Sequence, residues 1–342
     1  MSAKFELPLT IKNRLLKKYR ESSIKTFTTS IKRIYVNAYD PPINQYKPQV
    51  LYDFDYISKY ISKSIPLVSQ KNIVAAILAV IKVEDNPSPP QEVISNYEKL
   101  FNKLASKVTE SVQYKEPSQS EEENWISYKE VYRKFEQVQS QINNPEFQNR
   151  IKIVTSSPST IHLKYSDLAI YQHYIILAFY IYLPPLRSEE YYNTIILTVC
   201  NTPDKYSQLI KATKRNIIDL ENNKLVSGIY KTSDKYGLRV IDLPQQLVKI
   251  IKTWYRLTYT FSNQNLLFNL NTYKPLTQQA FTEQMFRIFS PNRISSSMLR
   301  KIFISEFLAK NPSAQERKKL AHTMGHSLEM QEFIYSRFKS KK

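Results

Sequence analysis

The chain of 342 residues is long enough for two domains, and its 42% of hydrophobic residues is ordinary for a folded protein. Lysine and arginine exceed aspartate and glutamate by 49 − 30 = 19, which favours nucleic acid as a partner, with a solubilising charge or an anionic membrane surface as the alternatives. Three glycines are too few for a phosphate-binding loop or a dinucleotide-binding fingerprint, and one cysteine excludes a disulfide framework and a cysteine-rich zinc site.

The first third of the chain has the periodicity of a helical bundle. Apolar residues at helical spacing predict helices over 5–36, 53–61 and 69–83, and a proline-rich break precedes a polar helix that runs to about residue 112. The N-terminus has no apolar signal core, which predicts an intracellular protein without a secretion signal. The sequence therefore predicts a helical domain over 1–113, followed by a solvated linker over 114–124 that is rich in proline, serine and charge.

The remaining residues, 125–342, predict a second domain that is mainly α with a small antiparallel β-sheet. The pattern predicts helices near 127–139, 167–183 and 244–259, another that begins near Thr277, and three more short helices after it. Strands are predicted over 194–199, 224–231 and 237–243, the last two forming a hairpin whose loop is 232–236. The most apolar stretch, 174–186, contains a Pro-Pro pair and is too short to span a bilayer, so we expect a buried helix and no membrane partner.

Basic residues and one tyrosine follow a particular order in this second domain. Arg187 comes after a Pro-Pro-Leu sequence, and Glu190 is three residues further on. Arg300 begins an apolar helix that serines cap, which favours a buried charge with a purpose over an ordinary surface arginine. His326 lies in a Gly-His-Ser sequence, and Tyr335 follows nine residues later. Taken singly, each has an unremarkable structural explanation, such as a helix cap or one of 25 packed tyrosines.

The order of these residues resembles the catalytic domain of tyrosine recombinases and integrases, a family that shares its chemistry with type IB topoisomerases. Segments 186–190, 299–300 and 324–335 carry the resemblance, together with a lysine of the hairpin, either Lys231 or Lys235. We favour Lys231 because it ends a predicted strand and so has a defined direction. The resemblance covers about residues 125–342, and within the family the chain looks more like recombinases of virophages and large DNA viruses. The first domain resembles the family's core-binding DNA clamp in size and helicity only.

The resemblance implies a role for each residue. Tyr335 would attack a DNA phosphodiester, while Arg187 and Arg300 hold the non-bridging oxygens and Glu190 orients Arg187. His326 would hydrogen-bond the same phosphate or help to remove the phenol proton, and the hairpin lysine would protonate the leaving 5′-oxygen. A 3′-phosphotyrosine intermediate conserves the bond energy, so neither metal, ATP nor another cofactor is implied. The resemblance implies no small-molecule substrate either.

The implied activity is site-specific recombination, such as integration or excision of a viral genome or another mobile element. Its partner is double-stranded DNA, on which the family assembles as a homotetramer, in the host nucleus or cytoplasm wherever the target DNA lies. The chain departs from the family at Ser297, where a histidine or lysine is usual, and in a tail of seven residues after Tyr335. It also has a long insertion between Arg187 and Lys231, which includes the basic residues 201–215 that are suited to DNA contact. Two alternatives stay open: a type IB topoisomerase, and a DNA-binding relative that has lost catalysis.

Overall fold

The computed structural model describes residues 5–113, 118–156, 163–198 and 205–331. The chain divides into two compact units, Met1–Lys115 and Glu116–Lys342. Each unit has a large hydrophobic core of its own, and each is therefore described by itself.

The helices of the first unit surround one that is almost entirely apolar. They are α1 (Leu9–Leu16), α2 (Glu21–Asn37), α3 (Phe54–Ser64), α4 (Leu67–Ile81) and α5 (Gln91–Gln113), with a 3₁₀ turn at Pro48–Tyr52. α4 packs against α2 and α5, and its second half is buried almost without interruption. A helix that is apolar on nearly every side must be covered from several directions, which makes α4 the centre of this unit. The single helix predicted over 5–36 is instead two helices, separated by a turn at 17–20.

The second unit is built around another apolar helix, α9. Its helices outside the region of the sheet are α6 (Gln119–Asn124), α7 (Tyr128–Ile142), α8 (Pro145–Ser156), α9 (Tyr165–Tyr182), α13 (Gln245–Thr258), α14 (Gln278–Ile288), α15 (Ser296–Ala309) and α16 (Ala314–Thr323). α9 packs against α7 and α13 and is buried on most of its surface. The second half of the segment predicted as a linker is helical instead, because Ser118 and Glu121 form reciprocal capping hydrogen bonds at the start of α6.

A small sheet lies between α9 and α13 in the sequence. Its strands and short helices are α10 (Glu189–Tyr192), β1 (Thr194–Leu197), α11 (Tyr206–Thr213), β2 (Asn216–Asp219), β3 (Lys224–Ser227), α12 (Ser233–Tyr236) and β4 (Arg239–Asp242). The strand order is β1-β2-β3-β4, with antiparallel pairs β2–β3 and β3–β4. The expected fold class, mainly α with a small sheet, is confirmed. The sheet is mixed rather than antiparallel throughout, because β2, which the sequence patterns do not predict, pairs with β1 in parallel.

Two of the three short helices expected near the C-terminus are α15 and α16, and the chain beyond residue 331 lies outside the described residues. Among the helices of the described part, none has both the length and the apolar character that crossing a membrane requires.

Candidate active site

The turn that follows α16 is the point at which the candidate site is built. We call residues 323–326 the α16 turn. α16 begins with reciprocal capping bonds between Ser313 and Glu316, and it ends where Gly325 adopts a positive φ of 64°. The Gly325 N–H donates to the His322 carbonyl at 3.0 Å, and the His326 N–H donates to the Ala321 carbonyl at 3.1 Å. This Schellman arrangement ends the helix and turns its last carbonyl groups toward neighbouring elements.

Three arginines donate hydrogen bonds to three consecutive carbonyls of the α16 turn. Arg239 Nη1 lies 2.5 Å from the Thr323 oxygen, Arg300 Nη2 lies 3.0 Å from the Met324 oxygen, and Arg187 Nη2 lies 3.2 Å from the Gly325 oxygen. The C-terminal end of a helix carries partial negative charge, so it attracts cationic groups. Carbonyl oxygens have no net charge, so these contacts fix the guanidinium groups without neutralising them.

Glu190 joins the segment of Arg187 to the sheet. Its carboxylate is fully buried and accepts the Arg187 backbone N–H at 3.1 Å and the Ser227 hydroxyl at 2.7 Å. It also forms an ion pair with the buried guanidinium of Arg239. From the sequence, Glu190 is expected to orient the side chain of Arg187. The observed bond is to its main chain, and the guanidinium paired with the carboxylate belongs to β4.

Arg300 lies in the first turns of α15, where Ser295 caps the helix by accepting the Met298 N–H at 3.3 Å. Its side chain is only 2% exposed, and Nη1 donates to the Pro185 carbonyl at 2.6 Å. Because Pro185 is two residues before Arg187, this bond ties α15 to the segment that carries the other arginine. Ser297 is exposed on the surface of α15.

His326 is held as a neutral imidazole. Its Nδ1 lies 3.1 Å from Arg300 Nη2, and a guanidinium can only donate, so Nδ1 must be the acceptor. The ring proton is therefore assigned to Nε2, which lies 3.3 Å from the side-chain oxygen of Gln331. Burial, together with the positive charge of Arg300, lowers the pKa of His326 to about 4.

The hairpin lysines differ from their expected setting. β3 ends at Ser227, so Lys231 lies in the turn beyond the strand rather than at its end, and the reason given for preferring it is wrong. Its side chain is exposed, while the neighbouring Thr232 hydroxyl donates to the Gly325 carbonyl at 3.0 Å. Lys235 is exposed on α12, with its ammonium 5.5 Å from the ring centre of Tyr236. The contact through Thr232 brings the turn of Lys231 to the α16 turn.

Among the expected site residues, Arg187, Arg300 and His326 meet at the α16 turn, whereas Tyr335 lies outside the described residues. Proximity of the tyrosine to the arginines therefore stays a prediction. Within residues 5–113, 118–156, 163–198 and 205–331, no three His, Cys, Asp or Glu side chains are grouped so that they could hold a metal ion.

Arg239 is a residue of this site that sequence patterns do not reveal by themselves. The structure reveals it through the alternating burial of β4, in which Arg239 is buried, Val240 and Asp242 are exposed, and Ile241 is half-buried. In a strand every second side chain points to the same face, so Arg239 shares the inward face with Ile241. An arginine at an inward strand position requires a buried partner, and Glu190 provides it.

The chain is similar to known proteins in structure but not in sequence. No protein-family model and no curated protein sequence matches the chain. Among solved structures, the chain is similar to one described as the crystal structure of XerA recombinase, at 14% sequence identity and a TM-score of 0.36. The alignment covers 96% of this chain and 94% of that one.

Proposed function

We propose that this chain is a tyrosine recombinase, which cuts and rejoins DNA at specific sites through a 3′-phosphotyrosine intermediate on Tyr335. The observation that carries the proposal is the meeting of Arg187, Arg300 and His326 at one turn, nine residues before that tyrosine. These residues come from segments that are far apart in the chain. They are also the segments whose sequences resemble the recombinase catalytic domain.

The chemistry of the proposed reaction matches these side chains. The phenol oxygen of Tyr335 forms a bond to phosphorus as the bond from phosphorus to the 5′-oxygen breaks, and the phenol proton is lost. Negative charge grows on the non-bridging oxygens, where Arg187 and Arg300 would stabilise it with planar, permanently charged groups. A 5′-hydroxyl of a second strand then attacks the phosphotyrosine and releases the phenol, so that rejoining consumes no ATP.

Proton transfer is assigned to two further groups. Lys231, exposed in a turn beside the α16 turn, would give its proton to the departing 5′-oxygen. His326 would act as a neutral imidazole, since its pKa is about 4, by hydrogen-bonding the phosphate through its Nε2–H. Its Nδ1 lone pair already accepts from Arg300, which disfavours the other role that the resemblance allows, accepting the phenol proton. Ser297 replaces the histidine or lysine that is usual in the family, and a hydroxyl can donate a hydrogen bond without carrying a proton at neutral pH.

Duplex DNA is the proposed partner, and the net charge of +19 supports it because neutralised phosphates release condensed counterions. Assembly of four protomers on two duplexes, and action on a viral or other mobile genome, follow from the family resemblance.

Covalent capture tests the proposal and identifies the target sequence in the same experiment. The full chain is incubated with random-sequence nicked duplexes in excess EDTA, and DNA that stays attached in detergent is recovered and sequenced. We expect adducts from the wild-type chain and none from Tyr335→Phe. Tyr259→Phe, at a tyrosine exposed beyond the end of α13, is the matched control and should form adducts normally. Adducts that persist in Tyr335→Phe would contradict the assignment of the nucleophile.

The two alternatives predict different results. A type IB topoisomerase would form the same adduct, relax supercoiled plasmid and give no product from two target sites, whereas a recombinase exchanges strands between them. The exposed serine at position 297 favours the second alternative, a DNA-binding relative without catalysis. That protein would bind the duplexes and form no adduct under any of these conditions.

A further inference from the structure

Arg239 lies at the centre of the contacts around the α16 turn although no reacting group requires it. Its side chain is 4% exposed, and both terminal nitrogens are engaged. Nη1 donates to the Thr323 carbonyl, and Nη2 is paired with the carboxylate of Glu190. The guanidinium of Arg300 donates to neutral carbonyls, whereas the charge of Arg239 is neutralised by the buried carboxylate of Glu190. We therefore do not count Arg239 among the catalytic residues.

The face of the same guanidinium packs on Tyr230. The carbon at its centre lies 4.0 Å from the ring centroid, a distance at which the cation attracts the electrons of the ring. The hydroxyl of Tyr230 donates to the Gly237 carbonyl at 2.7 Å, which closes the base of the hairpin loop. Arg239 therefore contacts the segment of Arg187 through Glu190, the α16 turn through Thr323, and the hairpin through Tyr230.

Lys231 lies between two residues that are anchored by these contacts. Tyr230 before it is packed under Arg239, and Thr232 after it is bound to the Gly325 carbonyl. The backbone of Lys231 is therefore tied on both sides to the α16 turn, while its side chain stays exposed. An ammonium group on a long side chain delivers a proton at a fixed point only if its backbone is fixed.

We propose that Arg239 is a positioning residue for the general acid, holding the backbone of Lys231 at the distance from Arg187 and Arg300 at which its ammonium reaches the leaving 5′-oxygen. This inference rests on the proposed function. It explains why an arginine is present at this strand position. A planar guanidinium can donate from its edge to a carboxylate and a carbonyl while its flat face stacks on a ring, whereas an ammonium has no flat face to stack.

The leaving group provides a readout that a purely structural role would not move. In the ordinary reaction the bond from phosphorus to the 5′-oxygen breaks, and the oxygen takes a proton from Lys231. If sulfur replaces that 5′-oxygen, a thiolate leaves, and thiols have a pKa of about 8.5, so no proton donor is needed. A defect in proton delivery is repaired by this substrate, while a defect in phosphate binding or in folding is not.

The experiment uses the full chain and a captured target duplex, made with oxygen or with sulfur at the 5′ position of the scissile phosphate. We expect Arg239→Lys to slow single-turnover cleavage of the oxygen substrate on the order of 100-fold, the usual contribution of a general acid, and to cleave the sulfur substrate at nearly the wild-type rate. Lys231→Ala should behave likewise. Arg300→Ala should stay slow on both substrates. Asp242→Asn, at the exposed end of the same strand, is the matched control and should cleave both at the wild-type rate.

If Arg239→Lys is equally slow on the two substrates, the inference is wrong, and the same holds if Lys231→Ala is not rescued by sulfur. If Arg239→Lys fails to fold, Tyr230→Phe provides the test, because it removes the hydroxyl and its bond to the Gly237 carbonyl, keeps the ring, and should give a smaller defect that sulfur repairs. Absence of cleavage of either substrate by the wild-type chain would contradict the proposed function itself, which distinguishes the two failures.

Discussion

Acid should destabilise this protein through His326, and the size of the effect follows from the structure. The pKa of His326 is about 4 in the folded chain, because the ring is buried beside Arg300, and about 6.5 in the unfolded chain. Between these values the unfolded state binds the proton and the folded state does not. The free energy of unfolding therefore falls as the pH drops below about 6.5 and stops changing below about 4.

The magnitude is about 2 kcal/mol between pH 7.5 and pH 5, and about 3 kcal/mol over the full range, since each unit of pKa difference corresponds to about 1.4 kcal/mol. His173 contributes a second loss of the same sign, because burial and the nearby charge of Arg287 also lower its pKa to about 4. Each histidine must therefore be replaced separately.

Urea denaturation of wild type and His326→Asn at pH 7.5 and pH 5 measures the contribution. Asparagine keeps an acceptor near the position of Nδ1 and does not titrate, so the loss between the two pH values should be about 2 kcal/mol smaller in the variant. His173→Gln is the control, and it should reduce the loss while leaving the part due to His326 in place. An equal loss in wild type and His326→Asn would refute the reasoning, and so would an NMR titration of His326 with a midpoint near 6.5.

Three further substitutions test the scaffold of the site. Glu190→Gln should lower the free energy of unfolding by about 3 kcal/mol or more in urea, because it leaves the buried charge of Arg239 without its counter-ion, and an unchanged midpoint would contradict this. Gly325→Ala should cost about 1–2 kcal/mol in thermal unfolding, since φ is 64° and a β-carbon would lie 3.1 Å from Arg239 Nη1; a neutral effect would mean that the turn can rearrange. Ser313→Ala removes the cap that pairs with Glu316 and should cost about 1 kcal/mol, with faster amide exchange in α16 as the local readout.

The elements that the sequence predicts well are those with a strong apolar pattern. α4 and α9 are predicted within a few residues because a long apolar stretch of helical period can only be a buried helix. β2 is missed because four residues, Asn216–Asp219, are too few to show a period, and all four are buried, so no alternation appears. Its absence from the prediction also explains why the sheet is expected to be antiparallel, since β2 supplies the parallel pair.

A site residue can be predicted from the sequence only where its immediate neighbours form a recognisable motif. Arg187, Arg300 and His326 each stand in a short segment with neighbours that single them out, and the structure brings all three to the α16 turn. Arg239 has no such neighbours, and its partner Glu190 lies 49 residues earlier in the chain. A pairing across that distance depends on how the sheet packs against α10, which no local pattern contains.

Each of the three arginines of this site donates to a main-chain oxygen of the α16 turn, and Arg239 also pairs with Glu190. Every residue type carries the same carbonyl, so replacing the side chain of Thr323 or Met324 leaves the acceptors in place. The bonds of the arginines depend on the direction in which the backbone carbonyls point where α16 ends. The site should therefore tolerate changes at the half-buried Thr323, and apolar replacements of similar size at the buried Met324. It should fail when the helix is extended, shortened or shifted by one residue.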